Sequence, residues 1–181
     1  MLRALTLTSV FCTFLSLIVH AATFFGYAFY PAVFMVLLLF VLWPMIVWQW
    51  RLIPKRNLVL EIFGAVPVWM KVTLGLLILY PFVNAYLCHS ANLGGNPVQL
   101  ADKRYVLQSG EQVLRVLTPE EFQTARAVQI RMLSGHLLGF YGVAVIALRA
   151  FWIKSGTYMA DAKIGKSRPS TAPISDSSGR G

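Results

Sequence analysis

Between Arg3 and Arg51 the chain carries no Lys, Arg, Asp or Glu, so residues 4–50 form one uncharged run. A membrane-crossing helix needs about 20 predominantly apolar residues, and this run is long enough for two of them. The break between them falls at Gly26-Tyr27-Ala28-Phe29-Tyr30-Pro31. Glycine loosens a helix, and proline is tolerated in the first turn of the next one. The expected helices cover 4–27 and 31–50. Two further spans are expected at 67–88 and 133–153. Lys71 lies in the first turn of the former, within reach of headgroups. Arg149, Trp152 and Lys154 form an aromatic-and-basic anchor at the end of the latter.

The whole chain agrees with this reading. Of 181 residues, 57% are hydrophobic and 13% are charged, against about 25% charged in soluble domains. A disordered chain, a disulfide scaffold and an ordinary soluble globule are excluded. The expected fold is therefore an all-α integral membrane protein, an antiparallel bundle of four transmembrane helices with a β-hairpin and helix extension between the third and fourth. Residues 1–88 hold the first three helices and a short cytoplasmic loop near 51–66. Residues 89–132 form the extracytoplasmic part, and 154–181 a disordered basic tail.

Lysine and arginine counts orient the bundle. Eleven fall in the N-terminus, residues 51–71 and the C-terminal part from Arg149 on, and five in residues 89–132. The positive-inside rule places both termini in the cytoplasm of a multi-pass plasma-membrane protein, the inner membrane in a bacterium. The net charge of +9 is then mainly a cytoplasmic surface facing anionic lipid. Nucleic acid is not an expected partner, since no aromatic-interleaved basic patch stands off the membrane. A rival topology treats Val19-His20-Ala21 before Ala22 as a signal-peptide cleavage site. It is the weaker reading, because apolar sequence resumes at once.

In the outer segment, residues 90–97 read as a loop, rich in turn formers. Residues 104–108 and 112–117 flank Ser109-Gly110-Glu111, a hairpin signal. A two-residue turn at Ser109-Gly110 sets Arg104 against Arg115, so the favoured register has a three-residue turn pairing Tyr105 with Arg115 and Arg104 with Val116. Thr118-Pro119-Glu120-Glu121 is a capping box that starts a helix of about 35 residues running into the last span, with Ser134-Gly135 as its weak point.

Two stripes stand out within the spans. Thr6, Ser9, Thr13, Ser16, His20 and Thr23 share one face of the first helix, and Gly135, Gly139 and Gly142 one face of the last. Small residues at such spacing let backbones approach, and hydroxyls can bond across the gap. The expectation is that these stripes pack on each other; a second subunit is the alternative. Cys12 and Cys88 differ in depth by about 15 Å, beyond disulfide reach, so both are expected as free thiols, Cys88 at the outer boundary.

The histidines His20, His89 and His136 all fall near that boundary. His20 and His136 are the candidate cofactor-binding pair, as axial ligands of a haem or a metal. The favoured expectation is no cofactor and no metal, because no ligand spacing such as Cys-x-x-Cys exists. Pro81 and Asn84, with His20 and His136, are the candidate lining of a polar pocket, against a simple helix kink as the plainer reading. No catalytic residue is assigned: hydrolase, metalloprotease and phosphate-loop motifs are absent. Mid-depth charges, which ion-coupled transport needs, are absent too. The expected function is a non-enzymatic accessory subunit of a membrane assembly, binding a membrane-protein partner or a second copy through 100–132 or a helix face. A haem- or small-ligand-binding bundle and a small oligomeric channel are the alternatives.

Overall fold

The computed structural model describes residues 2–29, 32–50, 64 and 66–167. It is mostly helical, with α1 (Leu2–Thr23), α2 (Ala32–Trp50), α3 (Val68–Ala91), β1 (Asn96–Gln99), β2 (Tyr105–Ser109), β3 (Gln112–Leu117) and α4 (Pro119–Ser167). Three helices are long and apolar enough to cross a membrane: α1, α3 and the Pro119–Ile153 part of α4. The apolar stretch of α2, Phe34–Gln49, is shorter. Most of the connection expected at 51–66, and residues 168–181 of the expected tail, lie outside the described residues.

Helix α4 is the central element. Its 49 residues extend about 74 Å at 1.5 Å per residue, unbroken at Ser134-Gly135. It continues to Ser167, through a stretch whose composition predicted disorder. Extending an existing helix avoids the unfavourable nucleation step, so weak helix formers can follow a strong span.

The other helices lean on α4. Thr23 meets Arg131, His20 meets Ser134, and the guanidinium of Arg3 lies 5.9 Å from the Trp152 ring. Rising numbers on α1 thus meet falling numbers on α4, so the two are antiparallel. Helix α3 shows the same order, with Leu77 against Gly142, Pro81 against Gly139 and Asn84 against Gly135. One apolar core joins Leu5 and Cys12 of α1, Leu42 and Ile46 of α2, and Leu137, Tyr141 and Leu148 of α4. A second joins Met70 and Leu74 to Ile146 and Ala150. Large apolar side chains point outward as well, among them Leu7, Phe11 and Phe14 on α1 and Leu76, Leu79 and Phe82 on α3.

The outer element is a three-stranded antiparallel sheet in the order β1-β2-β3, not a lone hairpin. The short β1 contains Pro97, which is tolerated because an edge strand has unpaired backbone on one side. The β2–β3 register differs from expectation: Val106 pairs with Val116 and Leu107 with Arg115, then Gln108 pairs with Val113. The chain turns through Gly110 and Glu111, with Gly110 at φ 58°, and Leu114 becomes the bulged residue. This arrangement separates Arg104 from Arg115, as the expected register also did, but the bulge does it with a two-residue turn.

The sheet sits on the first turns of α4. Tyr105 stacks on Phe122 at 4.4 Å between ring centroids, over Leu107, Leu117 and Ala125. The capping box forms: the Thr118 amide donates to Glu121 Oε2 at 2.8 Å, and the Glu121 amide to Thr118 Oγ1 at 3.2 Å. Arg115 also pairs with Glu121, which ties β3 to the helix start.

Candidate functional site

The polar groups converge where α1, α3 and α4 meet. His20 is 5% exposed, and its Nδ1 lies 2.9 Å from Ser134 Oγ. Ser134 spends its single proton on the Arg131 carbonyl at 3.1 Å. Its oxygen is then free to accept from His20 Nδ1–H, and the other ring nitrogen, Nε2, bonds the Tyr80 hydroxyl. Both ring nitrogens are thus engaged, and the imidazole bridges all three helices.

Arg131 closes the cluster from above. Its Nη2 donates to the Thr23 carbonyl at 2.9 Å and its Nε to Thr23 Oγ1 at 3.2 Å. The guanidinium lies 4.0 Å from the Phe24 ring centre, a cation–π contact. The Arg131 carbonyl also accepts from Asn84 Nδ2 at 3.1 Å, and the Cys88 thiol donates to Asn84 Oδ1 at 3.7 Å. Cys88 is buried and free, as is Cys12; Asn84 and α4 cover the thiol expected near the outer boundary.

The two sequence stripes take different roles. On α1, Ser9, Ser16, His20 and Thr23 are buried and Thr6 and Thr13 half-buried. The hydroxyls of Thr6, Ser9, Thr13 and Ser16 each bond the carbonyl four residues back, and Thr23 that of His20. The first four satisfy themselves within the helix and supply a narrow surface, while His20 and Thr23 make the side-chain bonds across to α4. On α4 the glycines face α3, not α1. A Cβ on Gly139 would lie 2.5 Å from Pro81 Cγ and 3.0 Å from the Leu77 carbonyl, and one on Gly142 2.8 Å from Leu77 Cδ1. A Cβ on Gly135 would collide with the Asn84 amide.

Proline explains this pairing. Pro81 has no N–H for the Leu77 carbonyl, which would otherwise be its partner one turn back. Gly139 presents its bare Cα to that carbonyl, the kind of close contact that a Cα–H···O interaction favours. The face of α4 that meets α1 is instead Ser134, Leu137, Tyr141, Ala144 and Leu148, all nearly fully buried.

His136, the other candidate ligand, is two residues from Ser134 and so on another side of α4. Its Nδ1 donates to the Met132 carbonyl at 2.8 Å, and it lines a cavity with Trp43 and Pro81. His20 and His136 thus engage different neighbours, and an axial role for His20 would require both of its bonds to break. The pocket envisaged around Pro81, Asn84, His20 and His136 is divided: Asn84 and His20 belong to the polar cluster, Pro81 and His136 to the apolar cavity. His89 is exposed in the last turn of α3.

The sequence assigned no site role to Ser134, Arg131 or Tyr80, and Ser134 stood there only as the expected weak point of the helix. A signal existed in the spacing of Tyr80, Asn84 and Cys88, four residues apart on one face of α3. The chain matches no family model, no curated protein and no solved structure.

Proposed function

We propose that the chain is a four-span integral membrane protein, with both termini cytoplasmic, that acts as a non-enzymatic subunit and receives a partner on strand β3. Lipid contact accounts for the large apolar side chains that α1 and α3 turn outward, which in a soluble protein would form a very large exposed patch. The common direction of α1 and α3 supports a return crossing by α2 between them. The observation that carries the partner reading is β3 itself. Among the described residues it ends the sheet with no strand on its outer side, and Val113, Leu114 and Val116 are 47%, 38% and 60% exposed. Such an edge is a template for strand addition. The opposite edge is blunted by Pro97 in β1.

Two experiments test this. In intact cells a membrane-impermeant maleimide is expected to label Ser109→Cys directly and Lys166→Cys only after permeabilisation; the buried native thiols keep the background low. Labelling of both from outside would end the four-span topology. A photo-crosslinking residue at Val116 is expected to give one discrete protein adduct in native membranes, with none from Gln99 on β1. A clean monomer at both positions would end the partner reading.

A further inference from the structure

The cavity beside His136 has the makings of a ligand site. Its volume is about 260 Å³, and its walls include Trp43 of α2, Leu77 and Pro81 of α3, and His136, Gly139 and Val143 of α4. For scale, an apolar cavity of about 150 Å³ accepts benzene, so this one has room for a substituted ring. Its rim residues Ile78, Phe82 and Phe140 are 52%, 70% and 47% exposed, so entry is from the apolar exterior.

Two polar groups belong to the cavity walls, the imidazole of His136 and the indole of Trp43, whose buried Nε1–H has no acceptor among the described residues. His136 Nδ1–H is committed to the Met132 carbonyl, which fixes Nε2, on the outer edge of the ring, as a hydrogen-bond acceptor. Among the described residues Nε2 has no donor. An unmet acceptor in apolar surroundings is unfavourable, and the complement to this one is a hydroxyl carried by an apolar body.

We propose that this cavity binds a lipid-soluble phenol or ring alcohol, whose ring fills the space between Pro81, Val143 and Trp43 and whose hydroxyl donates to His136 Nε2. A second groove, lined by Val36, Leu39, Phe40 and Val47 and sharing Trp43 and Phe140 with the cavity, offers an apolar path for an attached chain. The site is independent of any partner on β3, and it uses His136 alone, with His20 retained in its cluster.

The test uses the full chain in lipid nanodiscs and a fluorinated 4-hexylphenol followed by fluorine NMR, with its methyl ether as the matched compound lacking a donor. Saturable binding of the phenol is expected, with the ether at least tenfold weaker. His136→Phe is expected to weaken the phenol at least tenfold and leave the ether unchanged, while Val143→Trp, which fills the space, removes saturable binding of both. Non-saturable partitioning of the phenol into wild-type discs would overturn the proposal. So would equal affinity for phenol and ether, a comparison that requires no variant to fold.

Discussion

His20 Nδ1 and Ser134 Oγ are hydrogen-bonded across the α1–α4 seam at 2.9 Å, and Ser134 Oγ also reaches the Arg131 carbonyl at 3.1 Å. Interhelical hydrogen bonds in membrane proteins contribute about 0.6 kcal/mol on average and about 1.7 at most. A double-mutant cycle with His20→Ala and Ser134→Ala, read by reversible unfolding in mixed micelles, should return a coupling in that range. Strict additivity would mean that the two residues merely fill space.

Gly139 should not tolerate a methyl group. The obstacles are the Pro81 ring and a backbone carbonyl, neither of which can swing aside. Gly139→Ala is expected to cost about 1–3 kcal/mol, the usual range for overpacking. Gly75 has nothing within 4 Å of its would-be Cβ, so Gly75→Ala should be neutral or gain up to about 1 kcal/mol from helix propensity. The same unfolding assay measures both, and equal effects would refute the close contact at Pro81.

Thr118→Ala should loosen the start of α4 without disturbing its deeper part. The reciprocal bonds with Glu121 are lost, at about 1 kcal/mol. Hydrogen exchange should quicken at the amides of residues 119–123 and stay constant beyond residue 130. Uniform acceleration would point to global destabilisation instead.

The turn between β1 and β2 should respond to acid. The Arg104 amide donates to Asp102 Oδ1 at 3.2 Å and its Nε to Oδ2 at 2.6 Å. These bonds, the backbone one first, hold the Asp102 carboxyl below its ordinary range. A depressed carboxyl stabilises the turn above its unfolded value and loses that contribution as pH falls through the lowered folded one. NMR titration of the Arg104 amide should show a midpoint below the ordinary carboxylate value, abolished in Asp102→Asn. A midpoint at the ordinary value would show that the bonds do not persist in solution.

The apolar helices, the capping box and the α1 stripe were legible in the sequence because each depends on local spacing: 3.6 residues per turn, a run of uncharged residues, a threonine three before a glutamate. β1 escaped notice because four residues with a proline carry little strand signal, and their pairing with β2 is nonlocal. The stripes showed that α1 and α4 each have a narrow face, but periodicity says nothing about which neighbour fills it. The three-dimensional packing decided that: the carbonyl freed at Leu77 by Pro81 lies against Gly139, so the glycines of α4 take α3. His20 then meets Ser134 and Thr23 meets Arg131 across the remaining seam, while the other hydroxyls of the α1 stripe bond carbonyls of their own helix.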